Sequence, residues 1–125
     1  MIKILFIIGS GSFIGGISRF MLSRYIQNSI SSSFPYGTFA VNIIGCFLAG
    51  LILGIAGRGN LISPEWRMFL TIGFCGGFTT FSTFATENTA LIKDGNIMLF
   101  AIYAGLTVFI GILSVYAGNI IIKTV

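Results

Sequence analysis

Histidine is absent from this chain of 125 residues, and only three side chains are acidic. Without histidine, neither a histidine-ligated metal nor a Ser-His or Cys-His catalytic pair can be built within one chain. Charge of either sign is scarce: Asp, Glu, Lys and Arg make up 8% of the residues, where a water-soluble domain brings about a quarter. The net charge is +4, but Lys3, Arg19, Arg24, Arg58, Arg67, Lys93 and Lys123 are scattered and never form a patch, so no nucleic-acid partner is expected. Cysteine is limited to Cys46 and Cys75, each inside an apolar stretch where a free thiol behaves as a small hydrophobe. A disulfide or a thiolate metal site is not expected. With 55% hydrophobic residues and a mean hydropathy of +1.00, a chain this short cannot hide its apolar surface in one water-soluble core, and its solvent must be lipid.

What is present are four apolar runs long enough for a hydrocarbon core about 30 Å thick. They fall at about 2–26, 35–56, 65–93 and 97–122. The expected fold is an all-α membrane protein, a single transmembrane domain over 1–125, with a break in the third of its four helices. The first run has no small-residue cleavage signature and is expected to stay in the protein. The polar segment QNSISSS at 27–33 links the first two spans, and Pro35 restarts the chain. The loop GRGNLISP at 57–64 ends in Ser63, Pro64 and Glu65, which read as a helix cap, a first-turn proline and an early acid. Asp94-Gly95-Asn96 forms the last turn.

Four spans put both termini and the middle loop on one side. Lys3, Arg58, Arg67 and Lys123 lie there, against Arg24 and Lys93 opposite, a small bias under the positive-inside rule. Insertion in both orientations is therefore an open reading beside a cytoplasmic placement of the termini. Among 17 glycines, Gly11/Gly15, Gly50/Gly54 and Gly73/Gly77 are spaced by four, as grooves for close helix contact in lipid. Four short helices hardly enclose a pathway alone, so a homo-oligomer, a dimer first, is expected.

The least ordinary stretch is GFCGGFTTFSTFAT at 73–86. Gly76 and Gly77 beside Thr79 and Thr80 weaken the helix at mid-membrane, where freed backbone groups must find a partner or line a cavity. Freed carbonyls suit an alkali cation and freed N–H groups an anion. Alternatively the stretch is a packing face whose threonines bond back to their own helix. Phe78, Phe81 and Phe84 recur at spacing three, giving an aromatic face next to a hydroxyl face of Thr79, Ser82, Thr83 and Thr86. Ring edges and hydroxyl donors both suit an anion. Asn42 lies deep in the second span, as a pathway amide or a bond to a neighbouring helix. Arg19 lies deep in the first, with Glu87 as its expected counter-charge in an ion pair. Tyr103 and Thr107 share a face of the fourth helix and extend a polar track. The central thirds of the helices carry no carboxylate or histidine of the sort a proton-coupled carrier uses, with Glu87 the nearest approach, and this favours a channel.

These residues also carry a resemblance. GxSRF at 16–20, GTFxVNxxGCF at 37–47 and above all GFCGGFTTFSTFxxE at 73–87 resemble the Fluc (CrcB) family of small fluoride channels over the whole chain. The resemblance implies a passive fluoride channel of the bacterial inner membrane. It implies an antiparallel dual-topology homodimer with two pores and a structural sodium ion at the interface, held by backbone carbonyls that fall on Gly76 and Thr79. The family's pathway residues fall on Asn42, Phe81, Phe84, Ser82 and Thr83, with Thr38, Tyr103 and Thr107 as further members and Arg19 near the vestibule. One departure is Gly111, where a further small hydroxyl is expected a turn beyond Thr107. Two other readings compete. A small multidrug-type carrier needs an acid deep in the first helix, which this chain lacks, and an assembly subunit would transport nothing when purified alone. An enzyme lacks any nucleophile-base pair.

Overall fold

The computed structural model describes residues 1–59 and 61–124, and among these every regular element is helical. Asn60, inside the loop expected at 57–64, and Val125 lie outside the described residues. Four helical stretches are long and apolar enough to cross a membrane: Ile2–Ser29, Tyr36–Ala56, Pro64–Lys93 and Ile97–Thr124. The first two are α1 and α2, and the last is α6. The third span is composite: α3 (Pro64–Met68), a π-helical stretch (Phe69–Cys75), α4 (Gly76–Phe78), two extended residues, and α5 (Phe81–Lys93).

Local chemistry accounts for the ends of these elements. The Ser63 hydroxyl accepts the Trp66 N–H at 3.3 Å, with Pro64 and Glu65 in the first turn, so the third span starts as its sequence predicts. The last turn passes through Gly95 at φ 81°, where a side chain would be strained. The first helix runs on to Ser29 instead of ending near residue 26. Gln27 is why the polar segment does not begin there: its amide donates to the carbonyls of Ser32 and Phe34 at 3.3 Å and accepts the Gly37 N–H at 3.0 Å. One helical side chain thus organises the whole turn into α2. At the opposite end, the Arg58 guanidinium donates to the Ile122 carbonyl at 3.1 Å, satisfying a terminal group of α6.

Large apolar side chains such as Phe6, Phe13, Phe109 and Ile112 are exposed along the spans, while Val41 and Tyr103 are buried completely. Lipid explains this inversion, since it rewards backbone satisfaction and close packing more than apolar burial. All three four-spaced glycine pairs are spent inside the chain. A Cβ on Gly11 would lie 2.6 Å from the Phe69 carbonyl oxygen, and one on Gly77 2.6 Å from that of Ser12, so α1 and the third span touch backbone to backbone. Ser12 adds a hydrogen bond to the Gly73 carbonyl at 3.3 Å. Gly50 and Gly54 face Val115 and Ile122 in the same way, and α2 packs on α6 more extensively than on any other element.

α2 and α6 run in the same direction and in step. Cys46 lies against Gly111 and Gly50 against the backbone of Val115. Earlier turns of the seam therefore pair Asn42 with Thr107 and Thr38 with Tyr103, which sets two polar rungs side by side.

Candidate functional site

The site is built around the two extended residues of the third span, Thr79 (φ −86°, ψ 153°) and Thr80 (φ −147°, ψ 127°). Asn42 of α2 holds them. Its Nδ2–H donates to the Thr80 carbonyl at 3.1 Å, and its Oδ1 accepts the Thr80 N–H at 2.9 Å, the two-bond pattern of a neighbouring strand supplied by one side chain. Asn42 is only 8% exposed, so this pairing satisfies polar groups that lipid could not. The Thr79 N–H and hydroxyl both donate to the Cys75 carbonyl, at 3.0 and 2.8 Å. The Thr80 hydroxyl accepts the Thr83 N–H at 3.3 Å, starts α5 as its cap, and also contacts the hydroxyls of Thr83 and Ser82 at 3.3 and 3.4 Å.

These diversions free two carbonyls. In a continuous helix the Thr80 N–H would go to Gly76 and the Thr83 N–H to Thr79. Here they go to Asn42 and to the Thr80 side chain. The carbonyl oxygens of Gly76 and Thr79 thus lack their helical donors, and hard oxygens of this kind would suit an alkali cation. Gly76 is exposed on the chain's surface. Among the described residues no group of three or more His, Cys, Asp or Glu side chains comes together.

Beside the extended pair lies a cavity of about 240 Å³ lined by Asn42, Cys46, Thr80, Phe81, Phe84 and Thr107 with their neighbours. Its two phenylalanines differ. Phe81 is 78% exposed and projects from the chain, whereas Phe84 is buried, 5.7 Å from it between ring centroids and edge-on to Tyr103 at 5.0 Å. Phe78 does not continue this aromatic face. It precedes the extended pair and stacks on Phe74 at 5.4 Å, because two non-helical residues reset the direction in which side chains leave the helix. The Thr107 hydroxyl oxygen is buried and has no hydrogen-bond partner among the described residues. Other hydroxyls bond back to their own helix, Thr86 to Ser82 and Thr89 to Ala85.

A turn away along the seam, the hydroxyls of Thr38 and Tyr103 each donate to a carboxylate oxygen of Glu87 at 3.0 Å. The expected pair between Arg19 and Glu87 is therefore replaced. Two neutral donors on α2 and α6 take the carboxylate, and Arg19 stays half-buried on α1, away from the cavity. The sequence residues thus divide into a cavity group (Asn42, Thr79, Phe81, Phe84 and Thr107), a hydroxyl group at the start of α5 (Ser82 and Thr83), and a carboxylate group (Thr38 and Tyr103).

A family model described as CrcB-like protein, Camphor Resistance (CrcB), matches residues 6–119. The chain belongs to the CrcB-like family. Among its relatives is a protein of Flavobacterium psychrophilum named fluoride-specific ion channel FluC, 39% identical over 121 residues, 97% of this chain and 98% of the other. Proteins of the same name from Leptospira interrogans and Geotalea daltonii are 42% and 49% identical, over 97% and 74% of this chain and 95% and 74% of their own length. In this CrcB-like chain, the matched region contains the extended pair, the cavity and the Glu87 group together. Glu87 is the member of that group which sequence reasoning placed elsewhere.

Proposed function

We propose that the chain is a fluoride-selective channel that lets the ion leave a bacterial cytoplasm passively across the inner membrane. It works as an antiparallel homodimer, inserted in both orientations, with a structural sodium ion at its centre. One observation carries the pathway: Thr107, whose buried hydroxyl has no partner among the described residues, lines the same cavity as Asn42, Phe81 and Phe84. Asn42 has one N–H committed to Thr80, which leaves its second to a passing anion. Neutral donors and ring edges can replace part of fluoride's tightly held water without trapping the ion as a full positive charge would. The Thr80, Ser82 and Thr83 hydroxyls extend the donor set at the start of α5. Export down a gradient needs no coupling group, and the one carboxylate nearby, Glu87, is bonded away from the cavity. The curated relatives, named as fluoride-specific channels, support the choice of ion.

The dimer reading is supported by Phe81, 78% exposed although it lines the cavity beside Phe84, and by the exposed Gly76 beside the extended pair. A second copy would complete the wall at Phe81 and double the carbonyls of Gly76 and Thr79 around sodium. When bound, that ion supplies a fixed positive charge that ties the two extended pairs together. Fluoride efflux from liposomes carrying the purified protein alone, with valinomycin to balance charge, tests the function. Rapid fluoride loss without chloride loss is expected, and correctly assembled protein that releases no fluoride would return the carrier and assembly readings.

A further inference from the structure

The seam between α2 and α6 carries matched residues turn by turn, and its third rung is unlike the first two. Thr38/Tyr103 and Asn42/Thr107 are polar on both helices, but at the next turn α6 offers only Gly111, and a turn later Gly50 meets the backbone of Val115 and the seam closes. Cys46 occupies that third rung. Its thiol is free and half-buried, it lines the same cavity as Asn42 and Thr107, and its Sγ would lie 3.5 Å from a Cβ built on Gly111. A second observation points to a ligand in this space: the buried Thr107 hydroxyl, one turn before Gly111 on α6, has no partner among the described residues.

We propose that Cys46 is a further donor-bearing wall of the conduction pathway, its thiol reaching across from α2 to stand where α6 carries no side chain at Gly111. The inference rests on the channel reading above. A thiol is a weak donor and a larger, softer group than a hydroxyl, so this rung narrows the cavity and offers an anion a poorer hydrogen bond than the two before it.

Fluoride efflux from liposomes is compared for wild type, Cys46→Ala, Cys46→Ser and the double variant Cys46→Ala/Gly111→Ser, each at equal amounts of assembled protein. Cys46→Ala should lower efflux by about two- to threefold, the low end of what one hydrogen bond gives, because the thiol is a weak donor. Cys46→Ser should match or exceed wild type, and Gly111→Ser should restore the alanine variant by placing a hydroxyl on the same rung from the other helix. Wild-type efflux in Cys46→Ala overturns the proposal, and so does a loss that Gly111→Ser does not repair, which would mark Cys46 as a packing residue. A wild type that conducts no fluoride speaks against the channel reading instead. Should Cys46→Ala fail to assemble, wild type treated with methyl methanethiosulfonate decides. Displacement of methanesulfinate by the Cys46 thiolate, located by mass spectrometry, should accompany loss of efflux, whereas an unmodified Cys46, or a modified one with full efflux, contradicts the proposal.

Discussion

Thr107 and Asn42 line one cavity, yet they respond differently to truncation. The Thr107 hydroxyl has no partner to lose among the described residues, so Thr107→Val should leave thermal stability in detergent unchanged or slightly raised while fluoride efflux falls. A destabilised Thr107→Val would mean that the hydroxyl serves the fold. Asn42→Ala removes the partner of the Thr80 N–H and leaves that part-buried donor unpaired, at about 1–3 kcal/mol, while the Thr80 carbonyl keeps the first intrahelical bond of α5. Stability and efflux should fall together, and an unchanged melting temperature would show that the extended pair does not depend on Asn42. Asn42 was legible as a position that needs a partner because an amide deep in an apolar run cannot stay unpaired. Its partner was not, because a side chain that pairs with backbone leaves no complementary residue in the sequence. Glu87 was misplaced for a related reason: a carboxylate in lipid invites a search for a cation, and two hydroxyls satisfied it instead.

At the scale of the element, the third span concentrates the unusual geometry. Its start was readable from Ser63, Pro64 and Glu65. The π-helical stretch Phe69–Cys75 left no mark in periodicity, since a wider turn shifts the phase without changing composition. The spacing of three put Phe78 on the aromatic face with Phe81 and Phe84 because it assumed a continuous helix through the extended Thr79 and Thr80. That span sits tightly on α1, and substitutions there should follow the clearance around each glycine. Gly77→Ala would set a methyl 2.6 Å from the Ser12 carbonyl oxygen and should cost about 1–3 kcal/mol by overpacking. Gly105→Ala on α6 meets nothing within 4 Å in the chain and should be tolerated. Thermal unfolding of the two variants in detergent checks the contrast, and equal stability would show that the α1 contact yields more easily than its geometry implies.

For the whole molecule, the parallel register of α2 and α6 turns separate spacings into one route. Polar rungs stand side by side, the extended pair of the third span closes one wall, and Phe84 joins the cavity to the Glu87 group through Tyr103. The weak charge bias between the two membrane sides suits the proposed antiparallel homodimer. A tag at the C-terminus should then be reachable from both faces of the membrane in similar shares, and adding two lysines to the middle loop should bias it to one face and reduce efflux. A tag found on a single face in the wild type would contradict insertion both ways. Most direct is the fluoride efflux of Phe81→Ile and Phe84→Ile beside wild type, each at equal amounts of assembled protein in liposomes. If the cavity between α2, the extended pair, α5 and α6 is the fluoride route, both variants should lose efflux while remaining assembled. Wild-type efflux in both would place the route elsewhere.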